Sequence, residues 1–190
     1  WVATRSSGMQ SDKYGDIAHI ARGMRVVQPS GTLVVRPVPS TATGPSTREM
    51  ILGSEGRLGV ITEVTVQVHR IPENRAMQAY LFPSWEAGLA AMQEISTSDA
   101  HPSVTRVSDA NETEFSLSTR KASKGFSISS TVGTQLFKHL ERRGWDLSQA
   151  CLSFIGFEGG RAHVAHEKGI VNAIVKAHGG VGLGKGPAVL

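Results

Sequence analysis

The rhythm of apolar positions changes along this chain near Ile71-Pro72-Glu73-Asn74. Before that point, runs of β-branched residues are broken by glycine and proline. Apolar residues are frequent from Ile17 to Val27, ending in Val26-Val27, and Thr32 to Val35 is again rich in strand formers. Between them, Gln28-Pro29-Ser30-Gly31 sets Pro and Gly where a reverse turn needs them, so the pattern predicts a hairpin. Pro37, Pro39 and Pro45 interrupt regular structure through Ser40-Thr41-Ala42-Thr43-Gly44. Ser46 or Thr47 is placed to cap a short helix from Arg48 to Leu52. That helix delivers the chain into Gly53-Ser54-Glu55-Gly56-Arg57-Leu58-Gly59, and Val60 to Val68 then reads as a strand.

Beyond Pro72 the pattern is strand, helix, strand, and then the same again. Met77 to Phe82 and Val104 to Val107 are predicted strands. Ser84 to Ile95 between them is helical, with Trp85, Leu89, Met92 and Ile95 at helical spacing. Asp109-Ala110-Asn111-Glu112 resembles a capping box opening a helix through Phe115 and Leu117. Thr119 to Ser130, rich in Ser, Lys and Gly, reads as a mobile connection. Leu136 to Arg143 is a short helix stopped by Gly144. Cys151 to Phe157 is a strand, and Arg161 to His178 is a long helix stopped by Gly179-Gly180. A last strand is expected at Val181 to Leu183. This is the ferredoxin-like order with an insertion between its halves.

At 190 residues there is room for one large or two small domains with a substantial core. No apolar run is long enough to span a membrane. The net charge of +4 is spread along the chain, which suits an anionic cofactor or substrate better than a nucleic acid, whose groove needs a basic patch. A lone cysteine, Cys151, forms no internal disulfide and favours a reducing, cytoplasmic location. The sequence opens at Trp1 without an initiator methionine and closes on Gly186-Pro187-Ala188-Val189-Leu190, which suggests an internal fragment of a longer protein.

Two stretches carry candidate chemistry. Glycines at 53, 56 and 59 let the backbone turn sharply and approach a ligand with no Cβ in the way, although such turns are often only tight connections. Thr4-Arg5-Ser6-Ser7-Gly8 offers hydroxyls, a guanidinium and a flexible glycine suited to phosphate or flavin edges, the plainer alternative being a polar loop.

The segment Gly53 to Glu63, G-S-E-G-R-L-G-V-I-T-E, resembles the flavin-contacting segment of the vanillyl-alcohol-oxidase type of FAD-linked oxidoreductases. That segment specifies the superfamily, D-lactate and glycolate dehydrogenases included. Trp1-Val2-Ala3-Thr4-Arg5-Ser6-Ser7-Gly8-Met9, Tyr14-Gly15-Asp16-Ile17 and Ser40-Thr41-Ala42-Thr43-Gly44-Pro45 narrow the likeness to the alkyldihydroxyacetonephosphate synthase branch. Arg106-Val107-Ser108-Asp109, Phe157-Glu158-Gly159 and His166-Glu167-Lys168 continue it, so that it covers essentially the whole chain.

The resemblance implies an α+β protein. Residues 1–71 would be the C-terminal part, the second lobe, of a PCMH-type FAD-binding domain. Residues 72–190 would be the N-terminal part of a ferredoxin-like FAD-linked oxidase C-terminal domain, the substrate-covering cap. It implies FAD as cofactor, contacted by Thr4, Arg5, Ser6 and Ser7 and by Glu55, Gly56, Arg57, Leu58, Gly59, Val60 and Ile61. Arg57 stands where the family commonly has threonine, which puts that side chain's role in question but not backbone contacts. Arg106 matches a cap arginine that would hold an anionic substrate group. No catalytic residue is implied within the chain. The family's pyrophosphate loop lies N-terminal to these residues, and its catalytic tyrosine, histidine cluster and phosphate-clamping arginine lie C-terminal to them. The implied reaction, in ether-lipid synthesis, exchanges an acyl group for a long-chain alkoxide on dihydroxyacetone phosphate. The flavin N5 traps the substrate carbon, with no net redox change. The implied partner is a small-molecule or lipid-phosphate substrate, with no nucleic acid; peripheral membrane association and a homodimer of the parent stay open. The rivals are a flavin-dependent 2-hydroxy-acid dehydrogenase and, from another class, an α+β binding module without flavin.

Other motifs weigh less. Gly179-Gly180-Val181-Gly182-Leu183-Gly184-Lys185-Gly186 nearly fits a phosphate-binding loop, but Gly186 stands where a hydroxyl is needed and Pro187 follows. His163 and His166 are three apart with Glu167 outside them, unlike the zinc-binding His-Glu-x-x-His, so a solvated helix face and no metal are expected. Cys151 reads as a small core residue. For Arg106 the plain alternative is a surface ion pair, with Asp109 nearest in sequence.

Overall fold

The computed structural model describes residues 1–38, 42–120 and 131–184, excepting the side chains of 117–120 and 131–134. The chain forms two compact units, Trp1–Ile71 and Pro72–Leu190.

The first unit begins with two single-turn helices, α1 (Ser11–Tyr14) and α2 (Ile17–Ile20). The second takes the front of a region whose apolar content reads as strand; Asp16 caps it, accepting from the Ala18 and His19 amides. Strands β1 (Ala21–Gln28) and β2 (Gly31–Val35) form the predicted hairpin, with Gln28 opposite Gly31 around Pro29-Ser30. Helix α3 (Thr47–Ile51) is capped by Ser46, whose Oγ accepts from the Glu49 amide at 3.4 Å. Strand β3 (Val60–Val66) completes an antiparallel sheet of order β2-β1-β3. It ends short of Val68: the Gln67 amide donates to Ile20 C=O, and Val68 stands in solvent. Ala21, Met24 and Val26 of β1 pack with Ile51 and Leu52 into this unit's core.

The second unit runs β4 (Asn74–Phe82), α4 (Trp85–Thr97), β5 (Val104–Val107), α5 (Ala110–Arg120) and α6 (Thr131–Arg142). A 3-10 turn at Leu147–Gln149 then leads to β6 (Cys151–Gly159), α7 (Arg161–Ala177) and β7 (Val181–Gly184). Every pairing in the sheet β5-β6-β4-β7 is antiparallel, which is ferredoxin-like with α5 and α6 as the insertion. Alternation along the central strands sorts side chains to two faces. Tyr80, Phe82, Ile155 and Phe157 meet Ala91 and Ile95 of α4 and Val164, Val171 and Ile174 of α7. Leu81 and Leu152 turn the other way and meet Leu140 of α6 and Ala150, with Trp145 packed against them. The insertion therefore covers the second sheet face, which is why β6 reads as a nearly continuous apolar run.

Three details depart from the pattern. Trp85 and Leu89 are exposed, and α4 buries Gly88, Ala91 and Ile95 instead; a Cβ on Gly88 would meet Val107 Cγ2 at 3.0 Å. Close helix–sheet approach, rather than apolar count, selects the buried face. Helix α6 starts at Thr131, well before Leu136, and ends at Arg142; Gly144 follows with φ +84°, and the Trp145 amide reaches Leu140 C=O at 3.1 Å. Thr119 and Arg120 close α5, whereas 121–130 lie outside the described residues. Among the described residues no helix is long and apolar enough to cross a membrane.

Asp109 Oδ1 caps α5, accepting from the Glu112 amide at 2.7 Å. One turn on, buried Thr113 Oγ1 accepts from the Leu152 amide at 2.9 Å, just beyond the last β5–β6 pair. A side chain here continues the ladder. Thr113→Val keeps the shape and orphans that buried N–H, so urea unfolding followed by circular dichroism should show a loss of about 1–3 kcal/mol. Phe115→Ala, at an exposed site, should change stability by less than about 0.5 kcal/mol.

Candidate functional site

Both candidate loops lie in the first unit, and the fold brings them together. The Gly53 amide donates to Val2 C=O at 3.1 Å, and the Glu55 amide to Ala3 C=O at 3.0 Å. Within the first loop, the Arg5 and Ser6 amides turn back to Val2 and Trp1 C=O, and the Thr4 and Ser6 hydroxyls share a 2.6 Å hydrogen bond. The Ile17 amide, on the first turn of α2, holds Ser6 C=O at 3.3 Å and ties this loop to the hairpin. Below it, hydrogen bonding to His19 holds the Asp16 carboxyl below its usual range.

The second loop is a succession of left-handed turns. Gly53, Gly56 and Gly59 have φ of +76°, +82° and +130°. At Gly59 the constraint is also spatial: a Cβ there would sit 2.6 Å from Val27 C=O and 2.8 Å from Val26 Cγ1. This glycine lets the loop close onto β1, where Gln28 Nε2 then holds Leu58 C=O at 2.7 Å. Arg57 folds its Nε–H back onto Ser54 C=O at 3.1 Å, so this residue braces its own turn.

Among the described residues, Arg5 (φ +50°) and Glu55 (φ +49°) are the non-glycine residues with positive φ. They sit in the two facing loops, each held by the backbone hydrogen bonds just described. Such strain persists only where surroundings over-determine it, and it gathers at ligand sites. Thr4, Arg5, Ser7, Glu55, Gly56, Arg57, Leu58 and Val60 are exposed, with Ser6, Gly59 and Ile61 half-buried, so the paired loops present polar groups, backbone and two apolar side chains outward.

One important residue has no signature in the sequence. Glu49 of α3 takes the Arg5 guanidinium at 2.7 Å on one carboxylate oxygen and Arg48 at 3.2 Å on the other. Arg5 and Glu49 are 44 positions apart, and neither neighbourhood announces the pairing.

The remaining candidates fall in the second unit. Arg106, on β5, pairs with Glu112 rather than Asp109, because Asp109 is engaged as the α5 cap. Glu167 is fully buried, so the solvated-face reading fails there. Its Oε1 accepts from the His101 amide at 3.1 Å and lies 3.2 Å from His163 Nε2, joining α7 to the approach to β5. Among the described residues no three His, Cys, Asp or Glu side chains cluster to hold a metal ion. Cys151 is buried, and burial, with Asp109 and Glu86 adding, pushes its thiol above the ordinary range. The glycine stretch from Gly179 closes α7 and forms strand β7, with Gly180 packed against Val175 and Phe82; Lys185 and Gly186 lie outside the described residues.

Comparison with known proteins adds identity to this geometry. The family described as FAD linked oxidases, C-terminal domain, matches residues 71–186. An alkyldihydroxyacetonephosphate synthase from Dictyostelium discoideum is 40% identical over 188 residues, which is 98% of this chain and 30% of that protein. Another from Trypanosoma brucei brucei is 35% identical over 98% of this chain and 30% of its own length. A solved alkyldihydroxyacetonephosphate synthase structure superposes with a TM-score of 0.81 at 38% identity, over 99% of this chain and 33% of that one. The chain thus spans about 30% of the length of the curated relatives it matches.

The loop geometry makes Gly59 the position least tolerant of a side chain. Gly59→Ala forces a backbone clash, whereas Gly31→Ala, also at positive φ, meets open space. Urea unfolding should show Gly59→Ala to be less stable than Gly31→Ala by about 1–3 kcal/mol. Equal losses would mean that φ alone, and not contact with β1, sets the requirement.

Proposed function

Because the chain belongs to the FAD linked oxidases through their C-terminal domain family, matched over residues 71–186, we propose that Trp1–Ile71 supplies part of an FAD site. Pro72–Leu190 then begins the substrate cap of the same enzyme. The observation that carries the reading is the interlocked pair of loops, with Val2 and Ala3 C=O held by the Gly53 and Glu55 amides and strained, exposed Arg5 and Glu55 between them. Their chemistry fits the cofactor. The Thr4, Ser6 and Ser7 hydroxyls are short donors for its polar edges, and Arg5 brings a cation held in place by Glu49. In the turn from Glu55 to Ile61, Gly56 and Gly59 carry no Cβ, which lets backbone at those positions approach a flat ring. When bound, FAD supplies the reactive isoalloxazine ring, and the protein supplies orientation and charge.

The reaction proposed for the whole enzyme is that of an alkyldihydroxyacetonephosphate synthase, replacing the acyl group of an acylated dihydroxyacetone phosphate by a long-chain alkoxide. The likeness to the two synthases over nearly all of this chain supports it. Arg106 is proposed to hold the anionic substrate group, exchanging its ion pair with Glu112 for one with substrate. A guanidinium on a short surface strand contributes little to folding, which leaves it available for binding.

Two measurements test this reading. The isolated chain should bind FAD only weakly, since few of a flavin's contacts are present and several hydrogen bonds to a charged group account for several powers of ten in affinity. With FAD at saturating concentration, amide exchange should slow at residues 4–7 and 55–61; protection confined to other segments, or absent, contradicts the site. In a full-length enzyme carrying this chain, Arg106→Ala should lower turnover by about tenfold or more while stability changes by about 1 kcal/mol at most. Unchanged turnover would remove Arg106 from substrate binding.

A further inference from the structure

Arg5 leaves the first loop from a left-handed backbone position, and its side chain lies across the second loop at Gly53. A Cβ added at Gly53 would stand 3.1 Å from Arg5 Cβ and 3.8 Å from its Cδ, so the Arg5 stem occupies the space that this glycine leaves open. Beyond the stem, Nη2 reaches Glu49 Oε2 at 2.7 Å, on α3 just before the glycine turn. Glu49 is held from its other side as well, because Arg48 Nη2 lies 3.2 Å from its Oε1. Both carboxylate oxygens are engaged, so the acceptor that fixes Arg5 is itself fixed.

A guanidinium carries five N–H donors. Arg5 gives one nitrogen to Glu49, and the rest of its guanidinium meets no acceptor among the described residues. Two cations, Arg5 and Arg48, share one anion, which leaves net positive charge beside the loops. As a stabilising contact the pair is weak. The Arg5 and Glu49 side chains are 46% and 37% exposed, and ion pairs in such settings contribute little to folding. What the pair does is hold a long side chain with many rotamers in one direction. That lowers the ordering cost for a ligand that meets the free N–H groups.

We propose, on the flavin reading of the paired loops, that Glu49 is a positioning residue for FAD. It clamps one edge of the Arg5 guanidinium and so presets the remaining donors for oxygens of the cofactor. The expected sign is opposite to that of charge alone. Removing a carboxylate beside a site for a phosphate-bearing cofactor strengthens binding electrostatically, whereas losing the clamp weakens it.

Fluorescence titration with FAD of the apo form of a full-length enzyme carrying this chain tests the role of Glu49. Arg5→Gln should weaken FAD about tenfold, the usual effect of one lost charge-assisted hydrogen bond. Glu49→Ala should weaken it by about three- to tenfold, and Glu49→Gln, which keeps the shape and one acceptor oxygen, by less. Should Glu49→Ala unfold, Glu49→Gln carries the test. In the Arg5→Gln background, removal of Glu49 should cost nothing more, a coupling that general loosening of α3 would not produce. Glu63→Gln, which removes an exposed carboxylate paired with Arg25, should leave FAD affinity unchanged. Riboflavin separates the two kinds of oxygen: a loss retained with riboflavin assigns the ring carbonyls, and a loss seen only with FAD assigns the pyrophosphate. Tighter or unchanged binding in the Glu49 variants, or additive losses in the double variant, would overturn the role of Glu49. Weakening by Arg5→Gln in the same series would leave the flavin reading standing, whereas unchanged binding in Arg5→Gln would remove Arg5 from the cofactor site as well.

Discussion

Two backbone hydrogen bonds, Gly53 N–H to Val2 C=O and Glu55 N–H to Ala3 C=O, hold together the two loops proposed to contact the cofactor. Each loop alone is a short irregular segment whose ordering costs backbone entropy. Joined, they support one another: Arg5 and Glu55 keep left-handed conformations because neighbours on both sides fix them. The arrangement depends on the hairpin below. Gly59 allows the loop to touch β1, Gln28 fastens Leu58, and the start of α2 fastens Ser6. Loss of any of these contacts would loosen both loops at once.

The second unit answers a different constraint. A four-stranded sheet with apolar residues on both faces needs cover on both, and two helices of the ferredoxin-like repeat cover only one. The inserted α6 supplies the other. Two buried amides at the seams find side-chain acceptors, Leu152 in Thr113 at the end of the β5–β6 ladder and His101 in Glu167 Oε1, while Glu167 Oε2 stays buried without a partner among the described residues. These buried polar residues serve the architecture, whereas Arg106 lies exposed on the edge strand β5, paired with the exposed Glu112.

Much of this was legible in the sequence wherever local chemistry decides the outcome. Pro29-Ser30 with Gly31 announced the hairpin, Ser46, Ser84 and Asp109 announced helix starts, and Gly144 and Gly179 announced stops, because caps and turns depend on residues a few positions apart. Strand-helix-strand repetition likewise gave the ferredoxin-like order. What escaped depends on distant residues. The buried side of α4 is chosen by how closely Gly88 approaches Val107, which its own periodicity does not encode. Arg106 turned to Glu112 because Asp109 was already committed to a cap, a competition that spacing alone leaves open. The link from Arg5 through Glu49 to Arg48 crosses 44 positions and has no local trace. Resemblance marked the two candidate loops one by one; the fold adds that they interlock.

The central claim is that these loops act as one cofactor-contacting surface, and photolabelling addresses it most directly. The chain irradiated with an azido-FAD at saturation, digested and analysed by mass spectrometry, should yield flavin adducts in peptides from both Trp1–Met9 and Gly53–Ile61, and excess FAD should suppress both together. Labelling of one loop alone, or of neither, would contradict the account.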